Sequence, residues 1–161
     1  MSQGPKEIAT RFTAFNKEMT AFVDNCSDEE WRKVCSAEGW TVGVVAHHVA
    51  AGHFGAIDLV RMIVAGEAMP EITMEAIDQM NAQHATEHAN CTKEEVLTLL
   101  RENGSAFAGY LEGLGEADLA RTGYLAAIGG DVSARQLIEM VILQSGGAHL
   151  DSMKVATGTS S

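Results

Sequence analysis

Apolar residues recur along this chain at steps of three and four, and most of the periodic runs open on a side chain able to cap a helix. Ile8, Phe12, Phe15, Met19 and Phe22 mark the first run. That spacing lines one face of a helix of 3.6 residues per turn, whereas a half-buried strand would alternate with a period of two. It predicts a helix from about Pro5 to Asp24. Ser27-Asp28-Glu29-Glu30 has capping-box form and predicts a short helix carrying Trp31 and Val34, closed at Gly39. A second long helix is expected from Thr41 to about Ala65, ended by Gly66 and Pro70. Thr73 caps a third, polar helix through about Ala89. Thr92-Lys93-Glu94-Glu95 is another capping box, followed by the stripe Val96, Leu99, Leu100, Phe107, Tyr110, Leu111 and Leu114. Residues 115–132 read as loop, with Gly129-Gly130-Asp131 as a turn signal. Ser133-Ala134-Arg135-Gln136 opens the last helix, which runs to about Ala156. Both prolines, Pro5 and Pro70, stand clear of helix interiors, where they would remove a hydrogen bond and clash with the preceding turn.

Long helices with short connections imply an all-α antiparallel bundle, and the core faces of such bundles are where metal and cofactor sites are built. A chain of 161 residues, 46% hydrophobic and 20% charged, suits one domain with one core. That domain is expected to cover residues 1–157, with 158–161 as a frayed tail. The net charge of -11 argues against nucleic acid, whose binding draws its strength from Lys and Arg neutralising phosphates. No basic cluster invites an anionic membrane surface, and no uninterrupted apolar run approaches the ~20 residues that span a bilayer. The start, MSQGPKEIAT, lacks the apolar stretch of a secretory signal. Cys26, Cys35 and Cys91 form neither CxxC nor a zinc-ribbon spacing and read as reduced thiols filling space. The expectation is a cytoplasmic protein with no nucleic-acid and no membrane partner.

The six histidines are the unusual polar feature. His149 shares an inward stripe with Ile138, Val141, Ile142 and Ser145. His47 and His48 are neighbours and point about 100° apart on a helix. His48 falls on an apolar strip with Val44, Val45, Ala51, Gly55 and Leu59, while His47 aligns with the outer face. His53 lies five residues beyond His48, roughly 140° around an α-helix, so those two are not expected to chelate together. His47 and His53 therefore read as solvated or interfacial. His84 and His88 form an HxxxH pair with Glu87 between them, the best local chelate by spacing. Their helix lacks a strong apolar face, so the pair reads as part of a solvated polar surface. The second helix is crowded with Gly43, Ala46, Ala50, Ala51, Gly52, Gly55 and Ala56, either for close helix approach or to leave room for an ion or ligand. No GxSxG elbow, P-loop or GxGxxG is present.

The stretch GWTVGVVAHHVAAGH resembles the DinB-like superfamily, which includes YfiT-like proteins and mycothiol-dependent maleylpyruvate isomerases. In that superfamily the second helix opens on a Trp-Ser/Thr pair, and the first metal-binding histidine follows eight residues after the tryptophan. Here these are Trp40-Thr41 and His48. The segments SDEEW, EAIDQMNA and SARQLIE stand in the expected order, so the resemblance spans nearly the whole chain. It implies an antiparallel four-helix bundle with one short extra helix. It also implies a last helix carrying His-x-x-x-His or Glu-x-x-x-His, where this chain has Ser145 and His149. The implied metal ligands are thus His48 and His149, with a hydroxyl at the third position. Serine is a poor ligand for zinc or nickel. Gln144, His53 and His84 are the candidates to replace it. The activity implied is that of an enzyme using zinc, nickel or manganese to transfer a low-molecular-weight thiol to a small electrophile, working as a homodimer. The alternative is a bundle that has lost its metal and binds a small ligand or acts by oligomerising.

Overall fold

Pro5 needs no N–H partner at a first helical position, and it starts α1, Pro5–Asn25. The structure, a computed structural model, describes residues 4–159. Residues 1–3 and 160–161, which include the start of the segment read for a leader and the end of the expected tail, lie outside the described residues. Ser27 and Glu30 cap each other reciprocally and open α2, Asp28–Trp31. The chain then forms a hairpin, β1 Val34–Cys35 and β2 Trp40–Thr41, with Cys35 opposite Trp40. Gly39 turns it at φ 75°. Val34, expected on a helix, instead lies on this hairpin, 61% exposed.

Thr41 Oγ1 accepts from Val44 N and caps α3, Val42–Ala65. Gly66, at φ 74°, closes it in the left-handed conformation. Thr73 caps α4, Met74–Glu87, two residues shorter than expected. The Thr92–Glu95 box opens α5, Lys93–Glu112. The stretch read as loop holds α6, Glu116–Ala120, and a second hairpin, β3 Thr122–Leu125 with β4 Gly130–Ser133. Strands this short fall below the window in which alternation can be read. The Ser133–Gln136 box opens α7, residues 134–157, closed by Gly158 at φ 72°.

The helices α1, α3, α5 and α7 make the expected bundle; α2 is the expected short extra helix, and α6 is a further one. Phe12 of α1 stacks on Phe107 of α5 with centroids 4.7 Å apart and meets Phe54 of α3 edge-on at 5.1 Å. Leu100, Leu137, Ile138 and Ile142 complete a dry interior around them. At Gly43 the backbone of α3 runs under the Trp31 indole, and a Cβ there would come within 2.6 Å of its Nε1. Close approach is therefore a use of at least one small residue in α3. By length and composition α3 could cross a bilayer. In this bundle it is a core helix that buries His47, His48 and His53 and packs on α5 and α7.

The winding of α3 changes along its length. Val42–His47 is α-helical, His48–His53 is a π-helix, Phe54–Ala56 is a tight 3-10 turn, and Ile57–Ala65 is α-helical again. A second π segment, Ile138–Ser145, lies in α7. The carbonyl of Ala50, inside the first π segment, accepts a hydrogen bond from Asn103 Nδ2 of α5 at 2.9 Å. Tertiary partners thus support a winding that is rare on local grounds. Outside the bundle, α4 has no buried residue and rests against the π segment of α3.

Candidate metal centre

The π winding decides which histidines meet. In a π-helix residues five apart sit over one another, so His48 and His53 share a face instead of diverging. Their Nε2 atoms are 3.1 Å apart, and both side chains are buried. This overturns the expectation that the two point apart and that His53 is solvated: that reading assumed α-helical geometry throughout. His149, from α7, closes the group, with ring centroids 5.2 Å from His48 and 4.9 Å from His53. One ring nitrogen from each of the three lies within 4.8 Å of the others.

Each ring is oriented from behind. His53 Nδ1 lies 2.6 Å from the carbonyl of Val141, in the second π segment. A carbonyl can only accept, so Nδ1 carries the proton and His53 Nε2 presents a lone pair to the site. His149 Nδ1 lies 3.3 Å from Glu38 Oε1, and Ser152 Oγ donates to Glu38 Oε2 at 2.8 Å. Glu38 sits in the turn of the first hairpin, which brings it against α7. Trp40 meets the His48 ring edge-on at 5.4 Å. A Cβ on Gly52 would press within 3.3 Å of His48 Nδ1, so glycine leaves that ring its seat.

Burial pushes His48 down to about 3, reinforced by the neighbouring His53 and His149. Burial also takes His53 down to about 4, against the opposing pull of its bond to Val141. Both rings are therefore neutral near pH 7 and need lose no proton to offer a lone pair. A tetrahedral zinc ion with bonds of about 2.0–2.1 Å holds its nitrogens roughly 3.3 Å apart, close to the present His48–His53 separation. The residues fit a divalent ion.

Beside this group lies a second. His47, expected on the outer face, is buried because α4 lies over it. Its Nδ1 is 2.7 Å from His84 Nε2, and its ring stacks on His88 with centroids 3.9 Å apart. His84 and His88, expected on a solvated surface, are half-buried. His48 and His84, with centroids 5.7 Å apart, connect the two groups. Of the other candidates for the third ligand, Gln144 is exposed, and Ser145 is half-buried. The cysteines serve packing: burial pushes the thiols of Cys26, Cys35 and Cys91 up to about 11, which suppresses the nucleophilic thiolate.

Glu38 and His53 are the site residues the sequence reading passed over or left unresolved. Glu38 backs His149 Nδ1 from outside the group of three histidines, and outer partners of this kind are worth about 10–100-fold in metal affinity. Glu38→Gln should weaken zinc binding at this group by roughly that factor, measured by competition with a chelator.

The family model of the mycothiol maleylpyruvate isomerase N-terminal domain matches residues 12–142. The matched span holds His47, His48, His53, His84 and His88 and stops short of His149. Among solved structures, one similar to this chain is described in the words "YfiT from Bacillus subtilis is a probable metal-dependent hydrolase with an unusual four-helix bundle topology". The TM-score is 0.75 at 17% identity, over 97% of this chain and 89% of that one. At that identity the likeness concerns the fold. No curated protein matches the sequence.

Proposed function

This chain belongs to the mycothiol maleylpyruvate isomerase N-terminal domain family, within the DinB/YfiT-like superfamily, and from that premise we propose that it is a metal-dependent enzyme whose centre is held by His48, His53 and His149. The observation that carries the reading is His53, an imidazole facing His48 where Ser145 offers only a hydroxyl. Three protein ligands leave one position open, as in catalytic rather than structural sites. Imidazole suits zinc and nickel better than manganese, which favours oxygen. A divalent ion held by His48, His53 and His149 would supply Lewis acidity, favouring the deprotonated form of a bound thiol or water.

The chain's own residues do the rest. Val141 and Glu38 fix the tautomers of His53 and His149, so both rings are aimed before a ligand arrives. Burial of His48 and His53 limits water at that side of the site. The substrate class we propose is a low-molecular-weight thiol with a small electrophile as acceptor, which fits the name of the family. A homodimer in the cytoplasm, with no nucleic-acid or membrane partner, completes the proposal. The alternative, a metal-free bundle that binds a small ligand or acts by pairing, rested on Ser145 and has less to rest on with His53 in place.

Elemental analysis of untagged protein tests the reading, beside the double variant His48→Ala, His149→Ala. The expected result is bound zinc or nickel, with one equivalent fewer in the variant. A protein with no metal at His48 and His149, even after incubation with both ions, would sink the proposal.

A further inference from the structure

We propose that His47, His84 and His88 hold a second divalent transition-metal ion, beside the first, and that this ion clasps α4 to the bundle. The residues are disjoint from the first group, so the inference stands apart from the proposed function. His47 and His48 are consecutive, and their rings go to different groups, one against α4 and the other against His53 and His149.

Three observations converge. One ring nitrogen from each of His47, His84 and His88 lies within 4.8 Å of the others, although α3 and α4 contribute from positions 37 residues apart. A tetrahedral ion with bonds of about 2.0–2.1 Å would set its nitrogens roughly 3.3 Å apart, which a small opening of the 2.7 Å His47–His84 contact provides. His84 Nδ1 is buried with no hydrogen-bond partner, so the hydrogen bonds within the group leave it incompletely satisfied. Finally, α4 contributes no buried apolar side chain, so its place against α3 needs some other attachment. Two histidines one turn apart on a helix and a third from its neighbour are the means present.

Imidazole ligands select borderline ions such as zinc, nickel or cobalt over magnesium or calcium.

The test is equilibrium dialysis of untagged protein against zinc, read by elemental analysis and by hydrogen exchange. Wild type is compared with His84→Gln, His88→Gln and with His53→Gln, His149→Gln. Both altered residues of the first variant lie on or beside a helix with no buried side chain, so the core is untouched. Two equivalents in wild type and one in each variant are expected. Zinc should slow exchange in residues 74–87 of wild type and of the 53/149 variant, and leave it unchanged in the 84/88 variant. One equivalent in wild type, retained by the 84/88 variant, would overturn this inference and leave the first centre standing. One equivalent lost only in the 84/88 variant would support it and remove the first.

Discussion

Acidifying the metal-free protein from pH 8 to pH 5 should cost it several kcal/mol of stability. His47, His48 and His53 are held at about 4, about 3 and about 4 in the fold, chiefly by burial. In the unfolded chain each returns to about 6.5. Between those values the unfolded state binds protons that the folded state refuses, so stability rises with pH across that window. The contribution is complete above about pH 6.5 and is lost as pH falls toward 4. At pH 5 the loss is on the order of 2 kcal/mol for each of His48 and His53, and smaller for His47, which lies nearer the surface and is screened by solvent. The rings are close enough for their titrations to couple, so the three losses do not simply add. Even so, the total is a large share of the ~5–15 kcal/mol that holds an ordinary domain together. Burial likewise lowers His84, which acts in the same direction. Urea unfolding in the presence of a chelator, repeated across this range, measures the slope. A midpoint that stays level from pH 8 to pH 5 would contradict the burial of these rings.

The same histidines show where sequence reasoning stops. Caps and apolar periodicity are local rules, and Thr41, Thr73, Thr92 and Ser133 open their helices as expected. The π segments leave no such mark. A one-residue shift in hydrogen-bond register depends on partners such as Asn103 for Ala50, distant in sequence. With α-helical geometry assumed, His48 and His53 had to diverge, and the third ligand stayed open among Gln144, His53 and His84. Glu38 escaped because a hairpin of two-residue strands has no readable alternation. The polarity of α4 was legible, but its consequence was not. A helix without an apolar face was read as solvated, whereas it presents His84 and His88 to a buried His47.

Replacing His53 by alanine should weaken zinc at the first centre by more than a hundredfold, while Ser145→Ala should leave it nearly unchanged. The contrast follows from which side chain faces His48. Removing an outer partner costs about 10–100-fold in affinity, so removing a ligand must cost more. His53→Ala would also strand the Val141 carbonyl and His48 Nε2, at about 1–3 kcal/mol for a buried polar group left unpaired. That penalty lowers stability without touching coordination, so a variant that preserves one bond is needed. His53→Gln can still donate an amide N–H toward Val141, but gives the ion at best a weak ligand. It should recover much of the lost stability and little of the lost affinity. Titrations are best made in the His84→Gln, His88→Gln background, where zinc at the second group cannot mask the first. If Ser145→Ala lost the ion and His53→Ala kept it, the π turn would have no part in coordination, and a hydroxyl would stand as third ligand at the position the resemblance implies.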